Sequence, residues 1–302
     1  MAQDRPLLGI TLMLAFCILA PLGDAVAKIL STAVPIGQTL LVRFAVQALV
    51  LIPIIIITRR PWRMRRSILA LVALRTGLHI IGIGAMFLAL RYLPLADAVA
   101  IAFVMPFLML LLGKFVLNEE VGLRRILACA VGFAGTLLVI QPSFAEVGAP
   151  ALLPLVVAVV FALFMLVTRR IAKETDPISL QAVSGVMAVA VIAPLLALGA
   201  DADWPEMHLI TPDPKTVSLL LLIGLMGTAA HLLMTWSLRY APSTTLAPMQ
   251  YLEIPFATLI GWAIFSDLPD GPAALGIVII MAAGLYIVIR ERAMSRVAPQ
   301  VP

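Results

Sequence analysis

Charge is scarce in this sequence: Asp, Glu, Lys and Arg make up 12% of its 302 residues, against 62% hydrophobic residues. A soluble core could not use that much apolar surface, so the chain reads as a polytopic membrane protein. No polar stretch is long enough for a soluble domain. Cysteine is nearly absent. Cys17 and Cys129 stand alone inside expected helices, which supports neither a disulfide framework nor a cysteine metal site; both read as packing residues. The three histidines, His79, His208 and His231, are scattered, and no His-Glu-x-x-His or Walker-type sequence occurs. A membrane-embedded enzyme, a resident metal or cofactor, and transport driven by the chain's own ATP hydrolysis therefore lack support. No filter-like loop repeats, which disfavours a channel. The pI of 9.6 could suggest nucleic acid, but the basic residues lie in short loops between apolar runs, where membrane topology explains them.

What is abundant is spanning-length apolar sequence. Ten runs can be read, at 7–30, 36–57, 67–90, 96–117, 126–140, 151–167, 178–199, 216–238, 243–265 and 272–289. The expectation is an all-α integral membrane protein of ten transmembrane helices. The first run imitates a secretory signal through Arg5 and Ala25-Val26-Ala27, but Asp24 interrupts the cleavage-like site, so retention is expected. With the N-terminus inside, Arg59, Arg60, Arg63, Arg65, Arg66, Arg124, Arg125, Arg169, Arg170 and Lys173 are cytoplasmic. The outer loops keep only Arg91 and Lys215. Both termini are therefore expected in the cytoplasm.

The chain also repeats itself. Leu90-Arg91-Tyr92-Leu93-Pro94 runs on to Pro106, an acidic turn at Asn118-Glu119-Glu120 and a small-residue helix; Leu238-Arg239-Tyr240-Ala241-Pro242 runs on to Pro255, Asp267 and a second such helix. This is a duplication, with units expected at 1–145 and 146–302. Five helices per unit is an odd number, so the second copy enters the membrane upside down. Inverted repeats are a usual architecture of alternating-access carriers, with substrate near the midplane.

The pattern Ala89-Leu90-Arg91-Tyr92, Pro94, Pro106, Leu117-Asn118-Glu119 and Gly135, matched by Leu238-Arg239-Tyr240, Pro242, Pro255, Asp267, Gly276 and Gly284, resembles the EamA module of the drug/metabolite transporter superfamily. Asp267 departs from the family's usual Glu, and Ala128 from a usual glycine. Within the superfamily the chain looks most like YddG-type bacterial exporters of aromatic and other neutral amino acids. That resemblance implies a central cavity lined mainly by the first, third, fourth, sixth, eighth and ninth helices. It implies export across the inner membrane by a monomer or weak homodimer, with a small-molecule substrate and the lipid bilayer as partners and no nucleic acid. The alternative within the superfamily is a multidrug or lipophilic-cation exporter.

Ionisable groups within the membrane face the bundle interior by default. Asp24 and Lys28, four residues apart, are expected to pair, with Asp24 also open to a substrate ammonium. Arg43 and Asp97 should lie at similar depth in the outer half and make a charge-balanced set with that pair. Arg75 should snorkel toward the cytoplasmic end, and His79 reads as a cavity residue or a satisfied core histidine. His231, with Gly224 and Gly227, reads as a helix-packing stripe. On the ninth helix Gln250, Tyr251 and Glu253 precede Pro255, a kink that frees a carbonyl. Pro106 plays that part on the fourth, behind an apolar set including Phe103 and Met105. Phe164 and Met249 complete the expected soft wall. Glu253 is the candidate for proton coupling, with Lys28, Arg43 and Arg75 as charge-balancing groups.

Overall fold

The computed structural model describes residues 5–116, 123–199, 204–241, 246 and 249–297. Its long elements are α1 Pro6–Leu30, α2 Ile36–Thr58, α3 Arg66–Leu90, α4 Leu95–Ala102, α5 Met105–Val116, α6 Leu123–Val147, α7 Leu153–Ile171, α8 Pro177–Gly199, α9 Pro214–Tyr240, α10 Glu253–Phe265 and α11 Gly271–Val297. No strand occurs among the described residues. Proline starts several helices. Pro6, Pro177 and Pro214 take the first helical position, where the missing N–H would have had no helical partner. Pro35 and Pro94 sit just before α2 and α4 at ψ 142 and 148. Asp213 caps α9 by accepting the Thr216 N–H.

Among the described residues seven helices are long and apolar enough to cross a membrane, and shorter apolar helices lie at 95–109, 253–265 and 271–286. The fourth span is α4 followed by α5, and the ninth ends in α10. Together with α11 these give the ten spans expected. Both breaks have one cause. At Phe103 the backbone leaves the helical region (ψ 10) and the Val104 N–H turns to Ile101 at 3.4 Å; at Leu252 the N–H turns to Met249 at 3.1 Å. Pro106 and Pro255 follow as the second and third residues of the next helix. The expectation of a mid-helix proline kink is corrected here. The helix has already stopped, and each proline occupies a first turn that tolerates it.

The pairings between helices show the duplication in space. Moving each span number by five turns the α1–α9 contact into α3–α7, α2–α9 into α3–α8, and α1–α10 into the packing of α4 and α5 on α7. The α2–α8, α4–α10 and α6–α11 pairings map onto themselves. In the last of these, a Cβ at Gly135 would stand 2.8 Å from the Gly276 carbonyl oxygen, so glycine is what allows the two backbones to meet. Chain ends group as the helix parity requires. At one end Arg60 pairs with Asp176 at 2.8 Å and the Arg5 N–H donates to the Tyr240 carbonyl. At the other, Lys28 pairs with Asp267 at 2.8 Å and Arg91 with Glu206.

The repeated Arg-Tyr turn acquires a physical meaning. Arg91 Nε donates to the Ser31 carbonyl at 3.1 Å, and Arg239 Nη1 to the Thr175 carbonyl at 2.6 Å. In each unit the arginine ending the third helix ties itself to the loop between the first and second.

The core divides at the breaks. Phe103, Tyr251, Leu95 and Ile254 belong to one hydrophobic cluster; Met105, Met249, Phe164 and Leu246 belong to another. Between the two breaks the wall opens.

Candidate functional site

A partly open cavity occupies this region, with about 830 Å³ of empty space once its open mouth is included. Its lining includes Phe16 and Asp24 of α1, Met86 and Phe87 of α3, Phe103 and Met105 of the fourth span, Phe161 of α7, Met226, Gly227 and His231 of α9, and Gln250 and Glu253 of the ninth. Those are the first, third, fourth, sixth, eighth and ninth spans. The second adds Arg43.

The wall is aromatic and sulfur-rich, with the charged and polar groups gathered on α1, α2 and the eighth and ninth spans. Asp24, Arg43 and Glu253 line the same cavity. No ion pair within 4.0 Å joins these groups among the described residues. Arg43 Nη1, His231 Nδ1 and Gln250 Oε1 are buried without a hydrogen-bond partner. Such atoms cost about 1–3 kcal/mol each and are few in native proteins. Arg43, His231 and Gln250 all line the cavity.

Of the nine residues expected to line a binding cavity, Asp24, Phe103, Met105, Gln250 and Glu253 do so. The other four stand behind it. Tyr251 is buried against the backbone of Gly284, its ring 5.4 Å from Phe103. Its place is set by α11, not by the break it adjoins. Met249 packs in the cluster of Met105 and Leu246, and its carbonyl lies 3.5 Å from the Cys17 thiol. Phe164 lies 4.4 Å beneath the Arg75 guanidinium. His79 is fully buried, its Nε2 3.1 Å from His231 Nε2, so one ring donates and the other accepts.

The expected charge pairs are rearranged. Lys28 does not pair with Asp24. Two residues from the end of α1, its stem reaches past the helix to Asp267 and to the Leu93 carbonyl at 3.2 Å, while Asp24 faces the cavity. Arg43 makes no ion pair with Asp97 among the described residues; Asp97 accepts the Ser143 hydroxyl at 3.0 Å beside α6. Arg75 does not snorkel. It is 0% exposed, with Nε donating to Thr168 Oγ1 at 2.8 Å and the two Nη groups to Ser184 at 3.0 Å and Gln181 at 3.3 Å. Polar side chains from α7 and α8 meet it in the interior, so it has no need to reach an interface.

Several lining residues escaped sequence reasoning. Phe16, Met86, Phe87 and Met226 are apolar residues in apolar helices, and no local signal separates cavity from core. His231 was readable only as a helix-packing residue. Gly224 does make room for Val46 of α2, at 2.6 Å from a built Cβ. Gly227, one turn along, makes room for the guanidinium of Arg43. The acidic turn at Asn118-Glu119-Glu120 and the Pro242 of the second repeat lie outside the described residues.

Two broken spans facing one another across an amphiphilic cavity, inside two related five-helix units, define a multi-pass membrane transporter. The sequence matches the EamA-like transporter family over residues 7–141 and 149–290, and the chain belongs to that family. Among curated relatives, a riboflavin transporter of Brucella anthropi is 29% identical over 78% of this chain and 82% of its own length. An S-adenosylmethionine uptake transporter of Rickettsia prowazekii is 24% identical over 94% of this chain and 93% of its own. A riboflavin transporter of Vibrio cholerae is 26% identical over 97% of both. A crystal structure of a protein 19% identical superposes with a TM-score of 0.69 over 95% of this chain and 98% of that one, a likeness of fold.

Proposed function

We propose that the chain carries a small metabolite with an aromatic or heteroaromatic ring and an ammonium group across the bacterial inner membrane by alternating access. The observation behind this reading is the lining itself. Phe16, Phe87, Phe103 and Phe161 offer ring faces, Met86, Met105 and Met226 adapt to ring shape, and Asp24 and Glu253 present two carboxylates in one cavity. A cation placed between neighbouring carboxylates relieves their repulsion. Asp24, Phe103, Met105, Gln250 and Glu253 are the proposed contacts, and Glu253 the site where substrate and proton would compete. Residues 1–145 and 146–302 are the proposed units, moving about the breaks that precede Pro106 and Pro255, with both termini in the cytoplasm.

Aromatic amino acids fit this description, and so does S-adenosylmethionine, the substrate named for the Rickettsia relative. Net export of amino acids is the expected direction. An alternating-access carrier without an energy source of its own nevertheless follows the gradient, so the same cavity also serves uptake. A lipophilic cation meets the same carboxylates and rings, and this favours the drug-exporter reading as second.

The test is counterflow in proteoliposomes with labelled L-tryptophan, S-adenosylmethionine, riboflavin and tetraphenylphosphonium, with and without a proton gradient. Transport of tryptophan or S-adenosylmethionine supports the proposal. Movement of riboflavin alone refutes the ammonium requirement, and movement of tetraphenylphosphonium alone selects the second reading.

A further inference from the structure

Arg43 is 5% exposed and lines the cavity, yet its Nη1 has no hydrogen-bond partner. No carboxylate lies within 4.0 Å of it among the described residues. Phe44 sits 5.7 Å from its Cζ, and Asp24 is the acid whose charge acts on it. The guanidinium rests in a notch on the opposite unit. A Cβ built at Gly227 of α9 would stand 2.5 Å from Nε, 2.6 Å from Nη2 and 2.7 Å from Cζ. Only a residue without a side chain leaves that space, so Gly227 determines where the positive charge sits.

A guanidinium offers five donors in a planar fork that matches the two oxygens of a carboxylate. Within the membrane an uncompleted arginine is costly. A purely structural charge would have a close partner, as Arg75 has in Thr168, Gln181 and Ser184. Arg43 has no such partner at Nη1, although it lines the cavity. We propose that Arg43, seated against Gly227, receives the carboxylate of the transported substrate and makes the carrier selective for ring-bearing zwitterions. This rests on the functional reading above and narrows it. Asp24 and Glu253 take the ammonium end, and the rings pack against the aromatic wall. A phosphate monoester is the poorer match, because its second negative charge would face the same two carboxylates. The site also lies across the seam, with Arg43 on α2 of one unit and Gly227 on α9 of the other.

The experiment uses the full chain in proteoliposomes and two probe pairs that differ by a carboxylate: L-tryptophan with tryptamine, and S-adenosylmethionine with its decarboxylated form. The wild-type protein should prefer the carboxylate-bearing member of at least one pair by about tenfold or more in KM, the worth of a charge-assisted hydrogen bond. Arg43→Gln should abolish that preference while changing the KM of the decarboxylated member by less than about twofold, and Arg43→Lys should restore part of it. Gly227→Ala should act like Arg43→Gln. Its methyl displaces only the far end of a flexible side chain, so it carries the test if Arg43→Gln does not fold. A preference that survives both Arg43→Gln and Gly227→Ala overturns the proposal. Equal loss of both members of each pair in Gly227→Ala also overturns it, since that is damage to packing. Failure of the wild-type protein to move any of the four probes refutes the functional reading, and this inference with it.

Discussion

Among the described residues two arginines are buried deeply, and the structure predicts that they fail in opposite ways. Arg75 donates to Thr168, Gln181 and Ser184, whereas Arg43 makes no hydrogen bond among the described residues. Replacing Arg75 by Leu strips the Gln181 carbonyl oxygen of both its guanidinium contacts and leaves Ser184 without its donor; Thr168 keeps its own bond to the Phe164 carbonyl at 2.7 Å. Polar contacts within membrane bundles are worth about 0.6 kcal/mol on average and up to roughly 1.7. Four lost hydrogen bonds then cost about 2–7 kcal/mol. Replacing Arg43 by Gln removes a buried charge with unmet donors, so stability should hold within about 1 kcal/mol or rise, as it does where function maintains a strained group. Transport should follow the reverse order, with Arg43→Gln losing carboxylate selectivity at full stability. Arg75→Leu should lose folded protein first. Thermal unfolding of the purified variants in one detergent, read by size-exclusion recovery after heating, measures the first effect. Counterflow normalised to folded protein measures the second. A Tm loss in Arg43→Gln as large as that of Arg75→Leu would refute the distinction and make Arg43 a packing residue.

Gly135→Leu should abolish the α6–α11 contact and with it most monodisperse protein, because its side chain meets the Gly276 backbone, whereas Gly77→Ala, with nothing within 4 Å of its Cβ, should be neutral or stabilising by up to about 1 kcal/mol; size-exclusion profiles compare them. A double-mutant cycle of Lys28→Ala and Asp267→Ala should give a coupling below about 1 kcal/mol that fades in high salt, as their 19% and 36% exposed side chains imply. A coupling of several kcal/mol in thermal unfolding would contradict that assignment. In a cysteine-free background, cysteine at Lys215 should react with an impermeant thiol reagent from outside intact cells and cysteine at Arg63 only after permeabilisation; the opposite pattern would invert the proposed topology.

The scaffold was legible because it is written in repeated, strongly biased sequence. Spanning runs and the second Arg-Tyr turn need no knowledge of neighbours, and Gly135 and Gly276 stand out in small-residue helices. The cavity was legible where polarity is abnormal for a membrane helix, as at Asp24, Gln250 and Glu253, and where the repeat points to a break, as at Phe103 and Met105 before Pro106. Phe16 and Phe87 look like any other buried phenylalanine, because facing a void or a neighbour is a property of the opposite helix. The pairings of charged groups were the least legible. Helical spacing places Asp24 and Lys28 on one face, but a four-carbon stem near a helix end chooses among loops the spacing does not describe. Arg75 was misplaced for a related reason: its partners are neutral groups on α7 and α8, and nothing in its own helix announces them.

Symmetry and its violation divide the labour between scaffold and site. Arg91 and Arg239 close equivalent loops in their own units, and the spans around them pair by one rule. Both fourth spans of the units break at the level where the two hydrophobic clusters meet, so each can bend there without disturbing either core. At the cavity the equivalence ends. The break of the first unit presents Phe103 and Met105, and that of the second presents Gln250 and Glu253. Arg43 comes from the first unit, and the glycine that admits it comes from the second. Under the proposed alternating access, a substrate held between them would touch chemically different surfaces on the two units. Its contacts would then change as the units turn, and differential contact is the only means by which a solute can bias one state of a carrier over the other.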